Sequence, residues 1–354
     1  MFQPTEEFSY GAEPTVMASI VAQEARGAKK LGQRKRKRRQ NTTLPENKNS
    51  ETVVVGNRRR KLPPPKLPRL CHSSELTGIK FIPWGTLDAA RGSTLVNTCT
   101  IDNALMCLQA MCKWSAKVRD YFEHGIHEIA REIRNVLRLV EDENFFAAKC
   151  YWWERVAKES FRHDMRGSEL ELAKSPLDPL FAHFQQIFFC DEHGELASRD
   201  YNPCGPLLGN MKSYVARANS TDTDTKCLLD DNCSARKYKT LRPPPDLEHP
   251  HFLVFSGSER YGVRRDTLAD IPVNIWIAGE AYNLLAVTLH KPGLSKASLG
   301  HYTCAFYRGV NEWVSYDGLK ASFTPGVPAR ATVSTVWYME VDQASFVSTE
   351  KNNI

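Results

Sequence analysis

The order in which two hydrophobic periods occur constrains this chain more than any single motif. Ile126, Ile129, Ile133, Val136, Leu137 and Val140 recur at the 3.6-residue spacing of a helix with one apolar face. Just before them, Leu105, Leu108 and Cys112 share a face, which predicts a helix from Thr100 to about Phe122. A third helix is expected over about 143–162, with Phe146, Cys150, Trp153 and Ala157 on one stripe. Asp178-Pro179 suits the start of a fourth, over about 177–189. From 252 onward the pattern becomes that of strands. Phe252–Phe255, Ile271–Ile277, Tyr282–His290, Tyr302–Arg308, Trp313–Tyr316 and Thr332–Val341 are short aromatic and β-branched runs, several of them separated by Gly or Pro. Helices first and antiparallel strands later is an α+β order.

Within that order, Cys99 stands at the head of the first predicted helix, in Asn97-Thr98-Cys99-Thr100-Ile101-Asp102. His301 lies about 200 residues later, in Gly300-His301-Tyr302. A helix N-terminus and a protonated imidazole both favour the thiolate over the thiol. Together they make a nucleophile for carbonyl carbon and an acid for the leaving amine. A third group must orient the imidazole. Asp317, in Trp313-Val314-Ser315-Tyr316-Asp317, follows His301 at the distance of two strands joined by the turn Gly309-Val310-Asn311. Strand alternation puts Cys304 on the face opposite His301, where it reads as core. His290, at a strand end, reads as structural.

The residues around these three resemble the ubiquitin-specific proteases, a papain-like family of cysteine peptidases. Asn97-Thr98-Cys99 is similar to that family's Cys box. The strand Tyr282–His290, then Gly300-His301-Tyr302, then Trp313 and Tyr316-Asp317 are similar to its His box. The resemblance implies an α+β, papain-like cysteine peptidase with a helical lobe followed by an antiparallel β-sheet lobe. It implies a catalytic domain over 76–345, with helices over about 98–190, an irregular, finger-like insert over about 191–248 and the β lobe over about 250–345. Cys99 would be the nucleophile, His301 the general base and acid, and Asp317 the residue orienting His301. Gly300, Tyr302 and Trp313 would shape the channel for a substrate tail. The scissile bond would be the isopeptide bond after the terminal glycine of ubiquitin, with SUMO or another ubiquitin-like modifier as the alternative. A non-catalytic protein that binds a modifier, or is tethered to nucleic acid, is the reading from another class.

The departures point to a divergent branch, such as the short forms spread with mobile elements. Asp102-Asn103 stands where the family has Asn-Ser, and no Gln-Asp-Ala-His-Glu block is visible. The family's oxyanion-hole Asn falls on Thr94, so Thr94 and the nearer Asn97 are the two candidates for that role.

No cofactor is required by this chemistry. A structural zinc is the one candidate, because Cys190 and His193 form a Cys-x₂-His pair and Cys227 and Cys233 a Cys-x₅-Cys pair. Tetrahedral zinc wants four such ligands, and the usual two-residue knuckles are missing here. In Phe145-Phe146 and Tyr151-Trp152-Trp153, helical spacing makes Phe146 and Trp153 core, leaving Tyr151 or Trp152 as partner contacts.

Charge separates the N-terminus from the rest. Residues 1–70 hold 16 Lys/Arg against 6 Asp/Glu, whereas the remainder of the 47 and 41 is 31 against 35. This basic tail, with Arg34–Arg39 and Pro63-Pro64-Pro65, has too few apolar residues to offset ordering entropy. It is expected to be disordered. Its basic runs resemble a nuclear localisation signal, which implies the nucleus, alone or with the cytoplasm, and import receptors as partners. Nonspecific nucleic acid is the other partner that such a tail fits. No apolar run reaches the length of a membrane span, and Met1–Glu7 lacks the character of a secretory signal. The ten Cys at irregular spacing read as reduced thiols.

Overall fold

The computed structural model describes residues 78–340, apart from 89–91, 205–210, 219, 222–226, 228, 231, 244–249, 257–267, 294–299, 310–311, 321 and 329–331. The chain divides into two units, Met1–Pro64 and Pro65–Ile354, and every described residue belongs to the second. The expected tail over 1–70 therefore lies outside the described residues.

The helices come first. They are α1 (Cys99–Trp114), α2 (Ala116–His124), α3 (Glu128–Glu141) and α4 (Phe145–Tyr151). The single helix expected over 100–122 is broken at Ser115. Its backbone turns extended, and its hydroxyl accepts from Val118 N–H, capping α2. No Gly or Pro announces that break. After α4 the helix widens into a π turn over Trp152–Val156 and ends there, short of the expected 162. Trp152 and Trp153 are both fully buried, with indole N–H groups donating to Leu172 O and Ser160 O. Trp152 is thus a core residue and not a partner contact.

The fourth expected helix is replaced after one turn. Only α5 (Asp178–Phe181) is helical, and Phe184–Cys190 is strand β3. β3 lies between β4 (Gly194–Tyr201) and β5 (Lys237–Arg242) in a three-stranded antiparallel sheet. The stretch expected to be an irregular insert thus holds two strands, with α6 (Met211–Ala218) between them. Phe184–Cys190 is short and apolar enough to suit either state. Its partner β5, some fifty residues on, decides for the strand.

A seven-stranded antiparallel sheet follows. Its strands are β6 (Phe252–Ser256), β7 (Asn274–Ile277), β8 (Glu280–Lys291), β9 (His301–Gly309), β10 (Glu312–Tyr316), β11 (Thr324–Pro325) and β12 (Thr332–Glu340). The order is β11-β10-β9-β8-β12-β6, with β7 also paired to β8. A separate two-stranded piece, β1 (Leu87–Asp88) and β2 (Ser93–Thr94), precedes α1. The class is therefore α+β, helices followed by antiparallel sheet, as expected.

α1 packs across β9 and β8, so the helix that begins at Cys99 lies on the sheet that carries His301. Nearly all of α1 is buried, including polar Asp102 and Asn103. Buried polar groups are mostly partnered, and each of these makes at least one side-chain hydrogen bond. Asn103 donates to Glu169 at 3.0 Å, and Glu169 accepts from Thr288 of β8 and Thr335 of β12. Trp337 N–H closes the network on the Thr335 hydroxyl at 2.8 Å.

Candidate functional site

Antiparallel pairing sets two of the three candidate catalytic residues at one end of the sheet. β9 and β10 pair with Cys304 opposite Tyr316, so His301, at the start of β9, and Asp317, just past β10, share that end. His301 Nε2 lies 2.8 Å from Asp317 Oδ1. Leu319 N–H also reaches Asp317 Oδ1, at 3.1 Å, which fixes the carboxylate. Cys99, at the head of α1, lies close enough to the same imidazole to influence its charge. With Nε2 engaged by Asp317, Nδ1 is the ring nitrogen left for the thiol.

His301 and Asp317 shift each other's proton affinity. Burial pulls His301 down, but its hydrogen bond to Asp317 and the nearby Cys99 outweigh burial and raise its pKa to about 9. Burial pushes Asp317 up, yet the hydrogen bond and charge of His301 prevail and hold it below the usual carboxylate value. The two shifts together favour the imidazolium–carboxylate pair.

A second layer holds the head of α1. Thr98, before Cys99, does not cap the helix with its side chain. Its hydroxyl instead donates to Asp102 Oδ2 at 2.7 Å. Lys149, fully buried, pairs with Asp102 Oδ1 at 2.9 Å and donates to Pro83 O at 2.5 Å. Burial raises the Asp102 pKa, and Lys149 is the largest opposing influence. Trp84 N–H in turn donates to Gly318 O at 2.9 Å, beside Asp317. The segment around 82–86 thus ties the helix that begins at Cys99 to the loop of Asp317.

The site opens into a cleft of about 290 Å³ whose walls include Asn97, Cys99, Ser168, His290, Gly300 and Tyr302. Tyr302 packs against His290, ring centres 4.6 Å apart. A Cβ at Gly300 would sit 2.1 Å from His290 Nε2, so any larger residue would have to displace that ring. His290, read from sequence as structural, is thus part of the cleft wall. The other sequence candidates fall elsewhere. Trp313 packs edge-on against Tyr307, 5.1 Å away on β9, and does not line the cleft. Thr94 lies on β2, paired with Leu87. Cys304 is fully buried, 3.5 Å from Cys107 Sγ between β9 and α1, as its face predicts.

Cys190, His193, Cys227 and Cys233 form one cluster at the tip of the three-stranded sheet, their ligand atoms all within 4.8 Å of one another. Cys190 Sγ is 3.5 Å from Cys233 Sγ and 3.6 Å from His193 Nδ1, and Cys227 Sγ is 3.5 Å from that nitrogen. Tetrahedral zinc, with arms of about 2.3 Å to sulfur and about 2.0 Å to nitrogen, spaces its ligands roughly 3.5–3.8 Å apart. These donors fit that ion. Cys204 is buried apart from them.

No family model matches the chain, and no curated protein matches it. Among solved structures, a SAGA DUB module (Ubp8 with Sgf11, Sus1 and Sgf73) bound to monoubiquitin is 8% identical. It covers 74% of this chain and 70% of that chain at a TM-score of 0.40. The papain-like protease of Middle-East Respiratory Syndrome coronavirus is 11% identical, covers 76% and 71%, and has a TM-score of 0.40. Both are likenesses of backbone layout, and no chemistry is carried over from them. No helix among the described residues is long and apolar enough to cross a membrane.

Proposed function

We propose that this chain is a thiol peptidase that cleaves after the C-terminal glycine of ubiquitin or a ubiquitin-like protein. The observation that carries the reading is His301, held 2.8 Å from Asp317, beside Cys99, which lines the cleft. The Cys99 thiolate attacks the glycine carbonyl, and His301 protonates the departing lysine amine. Water, with His301 as base, then resolves the thioester. Uncapped N–H groups at the start of α1 face the charge that develops on the carbonyl oxygen. Glycine at Gly300, packed against His290, supports a narrow passage that admits a tail without side chains.

The four-ligand cluster would hold a structural zinc, tying the β3–β4 turn to the segment before β5. The basic N-terminal residues would direct the protein to the nucleus or hold it on nucleic acid. A panel of C-terminal electrophiles built on ubiquitin, SUMO and other modifiers tests the reading. Covalent labelling of Cys99 by one of them, lost in Cys99→Ala, supports it and names the modifier. Labelling by none leaves a binding protein as the better account.

A further inference from the structure

Toward the end of α1 remote from Cys99, the helices α1, α2 and α3 enclose a second cavity, of about 310 Å³. It shares no residue with the cleft at Cys99. Cys112 and Lys113 line it from the last turn of α1, about 20 Å along the axis from Cys99 at about 1.5 Å per residue. We propose that this cavity binds a small phosphorylated polyanion, a compact molecule bearing at least two phosphate groups, through Lys113, Arg119 and Arg134. The inference does not rest on the peptidase reading.

Charge is the first argument. Lys80, Lys113, Arg119, Arg134 and Arg138 line the cavity, against the carboxylates Glu123 and Glu141. Ion pairs account for two of the five cations. Lys80 is paired with Glu143, and Arg138 Nη2 reaches Glu123 Oε2 at 3.5 Å. The other three are not neutralised across the cavity. Arg119 reaches only its chain neighbour Asp120, at 4.0 Å. Lys113 makes no ion pair among the described residues. Its ammonium lies at the cavity wall, 3.4 Å from where a Cβ on Gly78 would stand. Arg134 donates from Nη1 to the Glu123 carbonyl at 2.6 Å, which cancels no charge. Its Nε–H is buried without a partner, so turning it into the cavity breaks no bond there. Cys112 adds no negative charge, because burial pushes its thiol up to about 12.

Shape is the second argument. Small ligands occupy hollows of about 300 Å³ and more, whereas a nucleic-acid backbone is followed by an extended positive groove. These cations ring one hollow, with Lys113 on α1, Arg119 on α2 and Arg134 on α3. Guanidinium forks match phosphate oxygens in pairs. Reaching all three helices takes several phosphates on one scaffold. Such a ligand would also brace α1 against α2 across the break at Ser115.

The probe is myo-inositol hexakisphosphate, titrated calorimetrically into the full-length protein at near-physiological salt. One saturable site and a raised thermal midpoint are expected. Lys113→Ala/Arg119→Ala changes two exposed positions outside the core and should weaken binding at least about 30-fold. Arg134→Lys, which keeps the charge and loses the fork, should weaken it about tenfold. Arg36→Ala/Arg38→Ala, in the basic N-terminal run, should leave the affinity within about twofold, which separates the cavity from nonspecific binding by that run. The inference is overturned by any of five results. These are no saturable site, full affinity in Lys113→Ala/Arg119→Ala, an equal loss in the N-terminal variant, orthophosphate binding as tightly as the hexakisphosphate, or a short single-stranded DNA binding as tightly and failing in the same cavity variant.

Discussion

Single residues carry the sharpest expectations. Cys99→Ala should abolish cleavage of a modifier reporter and leave the far-UV circular dichroism unchanged, because the thiol is only partly buried and its loss removes little packing. Gly300→Ala should reduce kcat/KM for a tailed substrate at least tenfold. Its new methyl meets the His290 ring, and relieving an overlap of that kind costs about 1–3 kcal/mol. His301 gives a pH signature. Its native pKa of about 9 lies above the ordinary 6.5, so the folded protein binds that proton more tightly than the unfolded chain. The resulting stabilisation is complete below about pH 6.5 and is lost as pH rises to about 9. The urea midpoint of wild type minus that of His301→Gln should shrink across that window. Asp317 has the opposite sign. Its pKa is lowered, so its contribution is present above the usual carboxylate value and is lost as pH falls through the native one.

At the scale of elements, α1 is held by a buried ion pair in its first turn. Removing one member leaves the other charged and unpaired in the interior, typically a loss of about 3–5 kcal/mol. Lys149→Met should show that loss by chemical denaturation, and Lys149→Met/Asp102→Leu should recover most of it. If Lys149→Met alone were neutral, the pair would not be holding the helix. For the three-stranded sheet the expectation concerns the ligand cluster at its tip. Protein purified without chelator should carry about one zinc by mass spectrometry under native conditions. Cys227→Ser should lose the ion and lower the thermal midpoint. These elements also mark where local pattern runs out. Ser115 breaks a helix that apolar spacing alone extends through, and β3 looks helical until β5 pairs with it.

Across the whole molecule, helices and sheet are joined by the Asn103–Glu169–Thr288–Thr335 network and share one core. The charge difference between N-terminus and remainder predicts separable roles. Deleting residues 1–70 should leave reporter cleavage unchanged and remove salt-sensitive DNA binding, measured by fluorescence anisotropy at two ionic strengths. The sequence by itself determined the α+β order, because hydrophobic period is written locally. It also made Cys99, His301 and Asp317 legible as candidates, since each sits in its own short motif, and it named the four clustered ligands. Only the tertiary structure decided that His301 meets Asp317 at 2.8 Å, that Lys149 lies under α1, that His290 walls the cleft and that Asp164 holds Asn97. Those relations join residues far apart in the chain, 67 positions for Asn97 and Asp164. Charge pairing and amide orientation depend on distance in space, which no local period encodes.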